Sequence, residues 1–221
     1  MGRGVPPSRG GARRLAGTAC PTSVQRRETE WKLTLLCHSW HISGMSAYDA
    51  IYDEAIGQYG LITTAQARRI GVSPLQLVKL ARRGRLERVG CGLYKLAAAL
   101  PYEGDAPAYA LAVESVGEDA MLFGESVLGL LSLAPVATDR IFVGTRRRVR
   151  RRLPEGVVAV RVAEGALAAV YDGVRCQPVA EAIRSCRGRV MSERLLEAVA
   201  AARRQGLLSA GEASRLRKEF F

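Results

Sequence analysis

The punctuation of residues 60–96, GLITTAQARRIGVSPLQLVKLARRGRLERVGCGLYKL, constrains this chain more than any other feature. Thr63 is a good N-cap, and Ala65, Gln66, Ala67, Arg68 and Arg69 carry a short helix to Ile70, where Gly71 supplies the left-handed stop. Val72 can pack into the turn, Ser73 can cap a second helix, and Pro74 sits at its first position, where a missing N–H costs nothing. That helix runs from Pro74 to Arg83 and stops at Gly84. Arg85–Val89 and Leu93–Leu96 then read as two short strands joined by Gly90, Cys91 and Gly92. Two short capped helices meeting at a tight turn, followed by a hairpin, predict a winged helix-turn-helix.

On the second helix Leu77, Leu80 and Ala81 share one face, and Gln76, Lys79 and Arg83, spaced three and four apart, share another. A polar face of that kind suits a major groove, where Gln can pair with adenine and Arg or Lys with guanine. The exposed helix start with Ser73 favours a phosphate. Arg85, Arg88, Tyr94 and Lys95 on the wing are expected to touch backbone or minor groove. Thr64, Gln66 and Arg82 complete the candidate DNA contacts. A helix-turn-helix also occurs in proteins that bind only proteins, and basic faces are often merely solvated. Here the caps, the proline, the glycines and the basic face all agree, so double-stranded DNA is the expected partner.

The 221 residues can hold one large or two small domains, and 48% apolar residues suffice for real cores. A net charge of +12 favours polyanions, but the excess is nearly all arginine and is shared by every region, so it locates no DNA face. Cys20, Cys37, Cys91, Cys176 and Cys186 are odd in number and form no CxxC, which signals neither a disulfide framework nor zinc. A reducing cytoplasm is the natural compartment. No apolar run is long enough to span a bilayer, so no membrane role is expected.

Along the chain, residues 1–44 are rich in Gly, Pro, Arg, Ser and Thr and are expected to be disordered. The cluster Cys37, His38, Ser39, Trp40, His41 matches no usual zinc spacing. Met45 is an alternative native start, which would make 1–44 an artefact of start assignment. Ser46 and Asp49 predict a capping box before a first helix whose stripe Ile51, Ala55, Ile56 packs on Leu61, Ile70, Leu77 and Leu80. The DNA-binding domain thus covers 45–100. Pro101, Gly104, Asp105 and Pro107 open a second domain, 101–221, expected to be mixed α/β, so the fold class is α+β. It contains helices at Ala108–Val116 and, buried on most faces, Met121–Leu133. Strands follow at Arg140–Thr145, Val157–Val162 and Val170–Cys176, the last carrying the turn signal Asp172-Gly173. Helices end the chain at Glu181–Cys186, Ser192–Gln205 and Ala210–Phe220. The stretch Gly206-Leu-Leu-Ser-Ala-Gly-Glu-Ala echoes Gly60-Leu-Ile-Thr-Thr-Ala-Gln-Ala, an echo that shared capping chemistry explains.

Arg146, Arg147, Arg148, Arg150, Arg151 and Arg152 form the densest charge run. It could clamp phosphates as a second DNA contact or receive an acidic or RNA-bound partner, or it could be a solvated hairpin tip. Catalysis is poorly provided for. There is no histidine after residue 41, which removes Ser-His-Asp and Cys-His arrangements and histidine metal sites from the ordered domains, and no lysine between Tyr102 and Arg217. No GxxxxGK[ST] loop occurs, and the FGESVLG stretch lacks the following carboxylate pair that holds metal ions. Glu114, Glu118, Asp119 and Glu125, the one carboxylate cluster, read as helix surface. The expectation is a non-enzyme with no catalytic residue, no metal and no cofactor.

Several of these segments carry a resemblance. The block Tyr59-Gly-Leu-Ile-Thr-Thr-Ala-Gln-Ala, the helix from Ser73-Pro74 to Gly84, and Leu86-Glu-Arg-Val-Gly-Cys-Gly-Leu-Tyr resemble the AbiEi-type antitoxins, the regulator component of type IV abortive-infection toxin-antitoxin systems. Leu122–Leu133 is similar to that family's buried helix, Asp139–Val143 to its following strand, and Asp172-Gly-Val-Arg to a short strand before its next helix. Gln177-Pro178-Val179 departs from the family's usual Thr-Pro pair and arginine, which leaves the start of that helix open. The resemblance implies an antitoxin that represses its own operon by binding inverted repeats, as a homodimer if the repeat's symmetry is matched. It also implies a nucleotidyltransferase-like toxin as functional partner, with antitoxicity carried by the second domain and no requirement for direct toxin contact. A winged-helix-targeted nuclease and a solitary regulator without a toxin are the alternatives, and the missing lysine and histidine argue against the first.

Overall fold

In the computed structural model, residues 1, 46–99, 102–136 and 139–220 are described, and those from 46 onward belong to one compact unit. The expectations for residues 2–44 and for the Cys37 to His41 cluster lie outside the described residues. The first part of the unit comprises α1 (Ala47–Ile56), β1 (Leu61–Thr63), α2 (Thr64–Arg69), α3 (Pro74–Arg82), β2 (Leu86–Gly90) and β3 (Leu93–Leu96). Its helices all begin on one chemical device. In each, the cap side chain accepts from the third helical backbone N–H while that residue's side chain reaches back to the cap: Ser46 with Asp49, Thr63 with Gln66, Ser73 with Gln76. Each cap contributes about 1 kcal/mol. Gly71 and Gly84 are left-handed, as the helix stops require.

The strands form an antiparallel sheet in the order β1-β3-β2, with Ile62 opposite Tyr94 and Arg88 also opposite Tyr94, and a bulge between Arg88 and Gly90. The pairing of β1 escaped the sequence reading, because a three-residue strand is too short to show a period. Alternation then sorts the side chains. Ile62, Tyr94 and Leu96 face the helices and join Ile51, Ala55, Ala67, Val72, Leu77 and Leu86 in one apolar cluster. Leu61 and Leu93, on the opposite face, pack with Ala110, Val113 and Val116 of the next helix. This corrects the expected packing of Leu61 among the first three helices. Ile56 departs as well: it is 43% exposed, and the stripe of α1 buries Ile51 and Ala55 instead.

The second part comprises α4 (Ala106–Val116), β4 (Met121–Leu122), α5 (Glu125–Leu130), β5 (Ile141–Thr145), β6 (Val157–Arg161), β7 (Ala169–Tyr171), β8 (Val174–Cys176), α6 (Val179–Ser185), α7 (Ser192–Arg204) and α8 (Ala210–Phe220). Its five strands are ordered β6-β5-β4-β8-β7. The expected helix over 121–133 is in fact a strand, a turn and a six-residue helix. Gly124 sits at φ 52°, ψ −121°, where a Cβ would meet Arg189 at 3.1 Å and Ser185 at 3.3 Å, and this backbone breaks the helical run that apolarity alone suggested. Leu122 is thereby placed in the centre of the sheet, paired with Val143 on one side and Cys176 on the other. Residues 170–176 form an antiparallel hairpin rather than one strand, turning at Asp172 (φ 47°) and Gly173 (φ 73°). The departure at Gln177-Pro178-Val179 is accommodated by helix α6 starting at Val179 behind Pro178. The echo at 206–213 is a fourth cap of the same type, Ser209 with Glu212. A last apolar cluster unites α6, α7 and α8 through Ile183, Leu195, Val199 and Leu216.

Strands β5 and β6 run parallel, with Ile141 opposite Val157 and Thr145 opposite Arg161. The arginine run between them is therefore a crossover segment and not a hairpin tip, since antiparallel neighbours alone can be joined by a hairpin.

Candidate nucleic-acid interface

Helix α3 buries Leu77 completely and half-buries Leu80 and Ala81, so its outward face is set by the positions roughly opposite them. At 100° per residue those are Leu75, Lys79 and Arg82, flanked by Val78, Gln76 and Arg83. All six are exposed, Leu75 at 63% and Val78 at 38%. The sequence expectations name Lys79, Arg82 and Arg83 and assign Leu75 and Val78 to neither face of the helix. The 75, 78, 79, 82 spacing was the signal that they share the opposite stripe.

Gln76 is exposed yet engaged. Its Oε1 accepts from the Ser73 N–H at 2.7 Å and the Ser73 hydroxyl at 2.9 Å, so in this conformation it completes the cap and does not project from the helix. Ser73 is spent in the same exchange, its Oγ accepting from the Gln76 N–H. Gln66 is half-buried and doubly used: Oε1 accepts from Thr63, and Nε2 donates at 2.6 Å to Gln58 of the loop after α1. Thr64 ties α2 to the hairpin, its N–H and its hydroxyl both donating to the Gly92 carbonyl, at 2.8 and 3.1 Å.

On the hairpin, Tyr94 corrects the expectation. Only 7% exposed, it points into the helical cluster, because β3 residues of even number face the helices, and it offers nothing to a groove. Lys95 is partly exposed on the other face, and Arg88 is exposed, its Nε donating to the Gly90 carbonyl across the bulge at 3.3 Å. The Arg85 guanidinium lies 4.8 Å over the Tyr48 ring of α1, a cation–π contact that holds the start of β2 against the first helix.

The arginine run is exposed throughout, but its six members are not equivalent. Arg151 donates to the Val116 carbonyl at the end of α4, at 2.6 Å, and Arg146 lies 3.9 Å from Asp119. Val149 and Leu153 turn inward against the central apolar cluster, which gathers Val113 and Val116 of α4 with Leu122, Val143 and Val174 of the sheet. A groove of about 500 Å³ separates this segment from Thr63, Thr64, Cys91 and Gly92, so the hairpin tip and the arginine run face each other.

The carboxylates expected on a helix surface are placed otherwise. Glu114 is largely buried, and burial pushes its carboxyl above the usual range against the opposing pull of Arg175, 3.4 Å away. Glu118 and Asp119 lie in the turn after α4, and Glu118 is 3.5 Å from Arg69 of α2. Glu125 meets Arg189 at 3.5 Å. Among the described residues no group of three or more His, Cys, Asp and Glu side chains is arranged to hold a metal ion, and no helix is long and apolar enough to cross a membrane.

A search of the curated proteins finds no match. Among solved structures the chain is similar to the RV2827C protein from Mycobacterium tuberculosis, at 14% identity over 79% of this chain and 82% of that one, with a TM-score of 0.35. A likeness at that level carries no functional argument. Residues 49–97, which run from the first turn of α1 to just past β3, match the family described as "Transcriptional regulator, AbiEi antitoxin".

Proposed function

We propose that this protein is a DNA-binding transcriptional regulator acting as the antitoxin of a type IV toxin-antitoxin system. The observation that carries the reading is the coincidence of the matched segment, 49–97, with a capped helix pair and hairpin whose second helix turns Leu75, Lys79 and Arg82 outward. In this reading the first part is a winged helix-turn-helix domain, α3 is its reading helix and the β2–β3 hairpin is its wing. Lys79 and Arg82 donate to guanine edges, Leu75 and Val78 offer apolar contact to thymine methyls, and Arg88, Lys95 and Arg83 meet phosphates. Gln76 and Ser73 act through the helix start. The protein is cytoplasmic, represses its own operon at inverted repeats as a homodimer, and counters a nucleotidyltransferase-like toxin without catalysing a reaction itself, the part from 101 onward carrying antitoxicity.

The test is binding of the purified full chain to a labelled duplex carrying the DNA upstream of its own reading frame, followed by footprinting. Protection of an inverted repeat, lost in Lys79→Ala/Arg82→Ala, supports the reading. Equal affinity for that duplex and for scrambled DNA overturns it. The toxin assignment is tested separately, by co-expression with the product of the adjacent gene and growth rescue.

A further inference from the structure

We propose that Arg147, Arg148 and Arg150 form a second DNA-backbone contact, presented beside the hairpin tip so that one duplex spans both. The proposal rests on the DNA-binding reading above and extends it from the matched segment into the second part of the molecule.

Three observations lead to it. The first is placement: the crossover between β5 and β6 lines the same groove as Cys91 and Gly92 at the hairpin tip, so whatever the tip approaches, the arginines approach too. The second is rigidity. Val149 and Leu153 anchor the segment in the central apolar cluster, Arg151 is bonded to the Val116 carbonyl, and the Arg147 N–H donates to the Thr145 hydroxyl at 3.2 Å. The Arg69–Glu118 pair spans α2 and the turn after α4, across the same junction. A backbone held in place spends less conformational entropy on binding than a free loop would.

The third is the charge balance. The groove's carboxylates are Glu114, Glu118 and Asp119, and each already has an arginine other than these three: Arg175 at 3.4 Å, Arg69 at 3.5 Å and, from the start of the run itself, Arg146 at 3.9 Å. Arg147, Arg148 and Arg150 remain exposed, with no hydrogen-bond or ion-pair partner for their side chains among the described residues. The local surplus is thus positive and uncommitted. Guanidinium forks match phosphate oxygens without reading a base, which suits a backbone contact flanking a reading helix. The segment RRRVRRRL contains no aromatic residue on which an unpaired base could stack, so a duplex fits it better than a single strand does.

The experiment measures affinity of the full chain for a labelled duplex of its own upstream DNA across a salt series, for wild type, Arg147→Ala/Arg148→Ala/Arg150→Ala, the corresponding triple lysine variant, and Lys79→Ala/Arg82→Ala. Each phosphate contact contributes about 0.9 to the slope of log affinity against log salt, so the triple alanine variant should lower it by roughly 2 to 3, with at least about a tenfold loss of affinity. The lysine variant should recover most of the slope, and the ratio of specific to scrambled binding should hold. Because the three side chains are exposed, thermal unfolding should be unchanged, which separates the result from misfolding. An unaltered slope in the triple alanine variant, with binding lost in Lys79→Ala/Arg82→Ala, overturns this inference and leaves the DNA-binding reading standing. Wild type that shows no salt-dependent binding overturns both. Unchanged duplex binding with lost affinity for a single-stranded RNA probe or an acidic protein partner also overturns it, by assigning the arginines elsewhere.

Discussion

The Thr64 hydroxyl and the Gly92 carbonyl lie 3.1 Å apart, and the Thr64 N–H reaches the same carbonyl at 2.8 Å, so the first residue of α2 fastens the tip of the hairpin 28 residues on. Two donors on one oxygen fix the angle at which the hairpin leaves the helices. Gly92 itself is at φ 70°, and a Cβ there would stand 3.2 Å from the Thr64 hydroxyl. Gly92→Ala should therefore cost about 1–3 kcal/mol in urea unfolding. Thr64→Val, which keeps the N–H bond and removes the hydroxyl, should cost about 1 kcal/mol. A neutral Gly92→Ala would mean that the tip is not held as described.

Gln76 and the pair Lys79 and Arg82 should separate cleanly. Because Gln76 closes the Ser73 cap, Gln76→Ala should lower stability by roughly 0.5–1 kcal/mol, whereas Gln76→Glu, which keeps the box and places a carboxylate at a helix N-terminus, should hold or raise it. Lys79→Ala/Arg82→Ala should leave thermal unfolding within error, since both side chains are exposed, and should reduce specific DNA affinity by about 1–3 kcal/mol per lost base contact. Parallel melting and anisotropy measurements check both.

Glu114 predicts a pH signature. Burial raises its folded-state carboxyl pKa, so the stability it contributes is fully present below the unfolded value and falls as pH rises through the folded one. Glu114→Gln, neutral at every pH, should gain on wild type as pH increases from acid to neutral. A stability difference between the two that is flat with pH would show that the carboxyl titrates normally.

The thiols should divide by burial. Cys176 and Cys186 are buried, and desolvation pushes both up to about 12, so almost no thiolate forms near neutrality. Cys91 is exposed at the hairpin tip. Brief alkylation of the native protein, followed by site-resolved mass spectrometry, should label Cys91 and spare Cys176 and Cys186 among the three described cysteines, and denaturant should abolish the difference. The same reaction with bound DNA should slow at Cys91 if the tip lies against the duplex.

Gly124→Ala should destabilise by about 2 kcal/mol or more, because its backbone angles suit glycine alone and the added methyl would meet Arg189 and Ser185. A chemical-denaturation series checks this.

What the amino-acid sequence determined by itself is local. Ser46, Thr63, Ser73 and Ser209 start helices because their hydroxyls meet orphan N–H groups three residues on, and such chemistry is fully written in neighbouring residues. Gly71 and Gly84 end helices for equally local reasons, and the runs at 141–145 and 157–161 are strands by β-branching. The tertiary structure decided direction and company. Whether β5 and β6 are neighbours in parallel or antiparallel depends on pairing across the sheet, and that choice turned an arginine hairpin into a pinned crossover beside the hairpin tip. Apolarity over 121–133 cannot distinguish a buried helix from a central strand plus a short helix, since both are dry on all sides; the Gly124 backbone and the two neighbours of Leu122 resolve it. Tyr94 and Leu61 went to faces set by strand alternation within a sheet whose first strand is three residues long. Spacing places Gln76 on the polar face with Lys79 and Arg83, while only its hydrogen bonds to Ser73 show how its side chain is used.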